Sequence, residues 1–174
     1  MKSKNISFRA PEPADVDQLY KWENDTSIWH LSNTVAPFSR HTLEEYILNA
    51  HQDIYTAKQL RLMIMLNKTS ESIGCIDLFD FDPINMNAGI GILICGNHRN
   101  KGYASEALSL LINYAFGTLN LHQLYCNITI DNEASLKLFQ KQNFKIIGLK
   151  KEWIRYRTNW IDEYMLQLIN PLKQ

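Results

Sequence analysis

Ala88-Gly89-Ile90-Gly91-Ile92-Leu93-Ile94 runs through Arg99-Asn100-Lys101-Gly102-Tyr103-Ala104 into the amphipathic stretch Ser105 to Phe116. The first segment is apolar throughout, as a strand buried on both faces requires. The last repeats its apolar residues at helical spacing. A buried strand that passes through a Gly-containing turn into a helix leaves several backbone N–H groups unpaired, with the positive end of the helix dipole behind them. Such a turn suits a phosphate. It is not a P-loop, because Lys101-Gly102-Tyr103 lacks the Gly-Lys-Ser/Thr order. The dinucleotide fingerprint fails as well: Gly89 and Gly91 lie inside the strand and no third glycine follows at the required offset. What remains is Arg-x-x-Gly-x-Ala.

The rest of the composition describes one ordinary domain. The chain has 174 residues, 45% apolar and 21% charged. No apolar stretch reaches the roughly 20 residues of a membrane span, and Met1 to Asn5 lacks a signal-peptide core, so a cytoplasmic protein is expected. Cys75, Cys95 and Cys126 are scattered among probable strands and read as free thiols. No metal-ligand spacing joins them to His30, His41, His51, His98 or His122, and no metal is expected. Zero net charge argues against a nucleic-acid binder. The charge is nonetheless polarised: residues 1–96 carry eight Lys/Arg against twelve Asp/Glu, and residues 97–174 carry ten against six. A basic half holding the turn suits an anionic ligand, and an acidic half favours approach of a cation.

Periodicity predicts a strand at Ile6 to Arg9, a helix from Asp15 to Asn24, and a second helix capped by Thr42 with Glu45 reaching back, ending near His51. Strands follow at Arg61 to Leu66, Ile73 to Phe81 and Ala88 to Ile94. Beyond the helix Ser105 to Phe116 come a strand at Leu124 to Thr129, a helix from Asn132 to Gln142, and strands near Lys145 to Trp153 and Tyr164 to Ile169. This order implies an α/β chain: a mixed, mostly antiparallel sheet of six to seven strands with helices on both faces and one parallel crossover.

Both the order and the motifs resemble the GCN5-related N-acetyltransferases. Arg99 to Ala104 is similar to the family's acetyl-CoA loop, Gln/Arg-x-x-Gly-x-Gly/Ala. Asn132-Glu133-Ala134-Ser135-Leu136-Lys137-Leu138-Phe139-Gln140-Lys141-Gln142-Asn143-Phe144 resembles its Asn-x-x-Ala/Ser-x-x-Leu-Tyr-x-Lys-x-Gly-Phe helix. The opening Phe8 to Asp15, with Trp22 to Asp25, is similar to the branch of ribosomal-protein N-terminal and spermidine acetyltransferases. The resemblance implies acetyl-CoA as co-substrate. Backbone groups of Ile92, Leu93 and Ile94 would pair with its pantetheine arm in a slot between splayed strands. The N–H groups of Arg99, Asn100, Lys101, Gly102, Tyr103 and Ala104 would hold the pyrophosphate, with charge from Arg99 and Lys101. Asn132 and Ser135 would touch the cofactor arm, unless Asn132 serves only as a helix cap. A homodimer is common in the family.

Two positions depart from the family pattern. Asn100 replaces a frequent Gly, which Asn's tolerance of positive φ accommodates. Phe139 replaces a Tyr proposed to protonate the departing thiolate; a thiol of pKa near 8.5 still leaves as its anion, so transfer would be slowed rather than abolished.

An acceptor amine of pKa about 10 arrives protonated and needs a proton sink. Asp77 is the candidate base or amine anchor, because strand alternation puts its carboxylate on a face with Cys75, Phe79 and Phe81, away from Ile76 and Leu78. A salt bridge to the neighbouring strand is the competing account of such a residue. Glu23 and Asp25 would add an acidic rim for substrate. Trp22, Trp29 and Phe38 read as core first and pocket wall second, as do Trp153, Trp160 and Tyr164. The favoured function is acetyl transfer to a primary amine, best a polyamine such as spermidine. A protein N-terminus, an antibiotic amine, and a non-catalytic acyl-CoA-binding regulatory domain are the alternatives.

Overall fold

In the computed structural model, which describes residues 1–32, 34–49 and 52–171, one seven-stranded sheet organises the chain. The strands are β1 (Ile6–Arg9), β2 (Leu60–Leu66), β3 (Ser72–Asp82), β4 (Asn87–Ile94), β5 (Gln123–Thr129), β6 (Lys145–Tyr156) and β7 (Asn159–Ile169), in the order β1-β2-β3-β4-β5-β7-β6. Every neighbouring pair is antiparallel except β4 and β5. The helices are α1 (Val16–Glu23), α2 (Trp29–Ser32), α3 (Arg40–Leu48), α4 (Ile54–Ala57), α5 (Tyr103–Gly117) and α6 (Glu133–Lys141). No described helix is long and apolar enough to cross a membrane.

Each face of the sheet has its own core. On one, α5 turns Ala107, Leu108, Leu111 and Ala115 onto Ile76, Leu78, Ala88 and Ile90, with Phe139 of α6 joining them. Each buried Leu or Ile there contributes about 1.5–3 kcal/mol by leaving water. On the other face α1 and α3 close a smaller cluster in which Val16, Leu19, Trp22, Leu43 and Ile47 meet Met63 and Cys75 of the sheet. Asp15, in a 3-10 turn ahead of α1, is buried against Arg9, whose Nη1 and Nη2 donate to its two oxygens at 2.5 and 2.7 Å. Glu106, in the first turn of α5, ties down the start of the chain by accepting from Ser3 Oγ and Asn5 N at 2.7 and 2.8 Å.

Several boundaries differ from the sequence reading. Ser39, not Thr42, caps α3: its hydroxyl accepts the Thr42 N–H at 3.0 Å. Both residues offer a hydroxyl at cap spacing, and the chain enters the helix one turn earlier. The helix ends at Leu48; the expected terminus at His51 lies outside the described residues. α2 and α4, four residues each, are too short to show periodicity. β7 begins at Asn159 rather than Tyr164, because Arg157 adopts φ 55° and closes a tight hairpin. Trp153 and Trp160 on that hairpin are 58% exposed rather than core. Phe81 does not share a face with Asp77. Asp80 takes φ 48° where the β3–β4 register shifts, and this bulge turns Phe81 into the core with Ile76 and Leu78.

β3 and β4 approach most closely at Gly74, where a Cβ would sit 2.0 Å from the Leu93 carbonyl oxygen. Backbone, unlike a flexible side chain, has nowhere to retreat. Gly74→Ala is therefore expected to cost about 2–3 kcal/mol, read as a fall of roughly 5–10 °C in Tm; an unchanged melting curve would contradict the close approach.

Candidate active site

The parallel seam of the sheet is short. β4 and β5 pair only at Asn87, Ala88 and Gly89 with Gln123, Leu124 and Tyr125, and then diverge. The phase of the β3–β4 ladder determines what β4 presents to the gap. Cys95 N–H donates to the Ile73 carbonyl at 2.9 Å, so bonded pairs recur at Cys75 with Leu93 and at Asp77 with Gly91. Ile90, Ile92 and Ile94 consequently turn their N–H and C=O groups toward the gap, whereas those of Leu93 face β3. Of the positions Ile92 to Ile94, it is Ile92 and Ile94 whose backbone is offered to a guest. The Ile94 carbonyl already accepts from Arg99 Nε at 2.9 Å.

Beyond β4, Gly96–His98 make a single 3-10 turn and Arg99 is extended. Asn100 and Gly102 then adopt φ 61° and 84°, and Gly102 is the N-cap of α5. No side chain caps this helix, so the leading N–H groups around Tyr103, Ala104 and Ser105 converge on the turn as an anion-binding concavity. A Cβ on Gly102 would meet nothing within 4 Å; only its backbone angle demands glycine. Lys101 is exposed and enters no described ion pair, whereas the Arg99 guanidinium is anchored at Ile94. From the turn, an open groove of about 460 Å³ passes Ser105, Ser109, Asn113, Lys141 and Gln142 along the outside of α5. Lys141 and Gln142 were not picked out from the sequence as contributors to this side.

At the wide end of the gap, Asn132 is the N-cap of α6, its Oδ1 accepting the Ser135 N–H at 3.2 Å. Phe139, about two turns on, is 3% exposed and stacks edge-on against Phe144 at 5.1 Å. Thr129, at the end of β5, is buried with no hydrogen-bond partner for its hydroxyl.

On the face away from α5, Asp77 stands opposite Gly91. Its oxygens accept from Arg61 Nε at 2.7 Å and Nη2 at 3.1 Å, and the remaining arm of the guanidinium donates to Glu23 at the end of α1. Arg61, on β2 directly opposite Asp77, supplies the salt bridge to the neighbouring strand that was the competing account of Asp77, and sequence reading did not name it. Burial works against its charge, but Asp77, then Glu23, more than compensate and raise its pKa above the usual arginine value. The same surroundings keep their neighbours neutral: burial pushes the Tyr46 hydroxyl up to about 12 and drives the Cys75 thiol upward. Asp25 stands apart from this group. It accepts from Ser27 N and Oγ at 3.0 and 2.6 Å, which lowers its pKa.

α2 covers the site's flank. Trp29 Nε1 donates to the Glu23 carbonyl at 2.8 Å. His30 stacks on Tyr156 of β6 at 4.5 Å with a buried Nδ1 that lacks a partner. Phe38 is tied to the end of α1 by paired bonds with Asn24 of 2.9 and 3.0 Å. Trp22 is core, while Trp29 and Phe38 are half-buried at the flank.

A family model described as acetyltransferase (GNAT) domain matches residues 5–145. An uncharacterized N-acetyltransferase, p20, of Bacillus licheniformis is 29% identical over 168 residues, 96% of this chain and 94% of that protein. The spermidine N(1)-acetyltransferase of Vibrio cholerae is 25% identical over 142 residues, 82% of this chain and 80% of its own. A crystal structure of spermidine N-acetyltransferase from Vibrio cholerae in complex with CoA and spermine superposes with a TM-score of 0.86 at 22% identity, covering 95% of each chain.

Proposed function

We propose, for a chain that belongs to the acetyltransferase (GNAT) domain family and is thus an N-acetyltransferase using acetyl-CoA, that the acceptor is a polyamine such as spermidine. One observation carries this reading: Asp77 faces Gly91, one residue from Ile92, whose N–H points into the gap. A cation held by Asp77 and Glu23 therefore lies over the glycine floor, beside the place where an acyl group in the gap would meet a backbone donor. The spermidine acetyltransferases of Vibrio cholerae described above support a polyamine, while the p20 relative names no acceptor.

Acetyl-CoA supplies the activated acetyl thioester. The gap and the turn fit it. Ile92 and Ile94 offer strand-like pairing to its amide-bearing arm, and the N–H groups from Asn100 to Ala104, with Lys101, offer donors and charge to its pyrophosphate. The groove past Ser109 and Lys141 has the hydroxyl and ammonium groups that suit its nucleotide end. The Ile92 N–H is the donor placed to stabilise negative charge developing on the acyl oxygen. Asp77 and Glu23 hold the amine, and its proton passes to Asp77 or to water beside it. Asn132 caps α6 and faces the mouth of the gap. Phe139 has no proton to give, so the sulfur departs as its thiolate.

Thiol release from acetyl-CoA across polyamines, peptides with free N-termini and aminoglycosides tests the reading. Spermidine or a similar polyamine is expected to give the highest kcat/KM; turnover confined to peptides, or none with any amine, overturns it. Phe139→Tyr is expected to raise kcat on the best amine about threefold or more by restoring a proton donor. It is also expected to lose about 1–2 kcal/mol of stability from a hydroxyl buried among Phe144 and its neighbours. An unchanged kcat would mean that thiolate departure does not limit the rate.

A further inference from the structure

Arg61 lies outside every motif, yet it joins two elements that reach the acceptor side from different parts of the chain. We infer that Arg61 is the positioning residue of the acceptor site, holding Asp77 of β3 and Glu23 of α1 as one unit with a net charge of −1, whose unmatched charge is met by an ammonium of the substrate. The inference rests on the acetyltransferase reading and deepens it, because it names the group that makes two carboxylates a single cation site.

Three observations lead there. The side chains of Arg61, Asp77 and Glu23 are only 17%, 16% and 16% exposed, so water screens them weakly and a residual charge among them is felt strongly by a guest. The geometry is fixed. Arg61 engages Asp77 with Nε and Nη2 and Glu23 with Nη1, using the planar fork that a lysine cannot reproduce. Its guanidinium also lies over the Tyr46 ring at 5.6 Å, a cation–π contact that favours this orientation. Finally, the electrostatic neighbours of the group are accounted for. The side chains that act on Arg61, Tyr46 and Cys75 are members of this same set, and no second cation within it cancels the remaining negative charge.

The floor beside the cluster is open. A Cβ on Gly91 would touch only the edge of the Phe79 ring, at 3.7 Å, while the same ring covers Gly89, so there is room beside the ring at the position opposite Asp77. Without Arg61 the two carboxylates repel and separate. With it, both are drawn onto one guanidinium and held together.

The test measures steady-state thiol release with acetyl-CoA and spermidine, alongside thermal melting. Arg61→Lys retains the charge and loses the fork. It is expected to raise the spermidine KM at least tenfold, leave the acetyl-CoA KM within twofold, and leave kcat at saturating spermidine within about fivefold. A spermidine KM within twofold of wild type overturns the inference, as does an equal loss in both substrates, which would mark a general structural role. Should Arg61→Lys fail to fold, Glu23→Gln removes only the arm from α1 and is expected to give the same split; an unchanged spermidine KM again overturns it. The double variant Arg61→Gln/Glu23→Gln keeps one negative charge, on an Asp77 that nothing holds. Its spermidine KM is expected to stay raised, and recovery to the wild-type value would show that charge alone suffices. A wild-type protein inactive on every amine removes the functional reading and this inference together, whereas an active wild type with an unaffected Arg61→Lys removes the inference alone.

Discussion

Gly102→Val is expected to raise the acetyl-CoA KM by about 30-fold or more, while a melting curve shows a loss of only about 1–2 kcal/mol. The two effects differ because the position is constrained in angle and not in space. A Cβ at Gly102 has nothing within 4 Å, but the residue holds φ 84°, which a β-branched side chain does not accept. Relief of that strain rotates the peptide groups around α5's first turn, and the converging N–H groups lose their common target. The folded core, built from α5's later turns, stays intact. Gly102→Asn is the informative control. Asn100 already holds φ 61° two residues earlier, so asparagine at 102 is expected to keep the acetyl-CoA KM within about fivefold. Calorimetric titration with CoA checks both, and equal losses for Val and Asn would reject a conformational cause.

Asp77→Asn is expected to lower kcat/KM for spermidine about 100-fold, or roughly 2.7 kcal/mol of transition-state stabilisation, with little change in acetyl-CoA affinity. The substitution keeps the shape and one acceptor oxygen. It removes a charge from a cluster in which Arg61 then has Glu23 as its one carboxylate partner, so the unit becomes neutral and no longer attracts an ammonium. The loss is expected mainly in the amine KM if Asp77 anchors the substrate, and in kcat with a shifted pH profile if it takes the proton. Wild-type kinetics in both would exclude Asp77 from either role.

These two positions also show how far the sequence carries. Residue type alone made the conformation of the turn legible: Asn and Gly at alternate positions between a doubly buried strand and an amphipathic helix are the residues that accept the positive φ found there. The order of elements was legible for the same reason, since strand and helix periods differ and the crossover has one hand. Arg61 was not legible. Its partners are 16 and 38 residues away, and what unites them is the β2–β3 register together with the angle at which α1 ends, neither of which a local pattern encodes. The bulge at Asp80 escaped similarly. Nothing around it announces an αL residue inside an apolar alternation, and one such residue moved Phe81 to the opposite core. The cap at Ser39 rather than Thr42 shows the remaining difficulty: two hydroxyls compete at equal spacing, and tertiary contact between α1 and α3 decides.

The short seam between β4 and β5 bears on endurance as well as on binding. Mechanically the sheet is two leaves, β1–β4 and β5–β7, joined through three backbone pairs at one end and through the crossover helix α5. A molecule that hydrogen-bonds to Ile92 and Ile94 on one leaf and reaches Asn132 on the other bolts the leaves together. At a concentration 100-fold above its Kd such a guest adds about 2.7 kcal/mol to the folded state. The lifetime of the folded chain would then follow the supply of acetyl-CoA, making a metabolite part of the protein's skeleton.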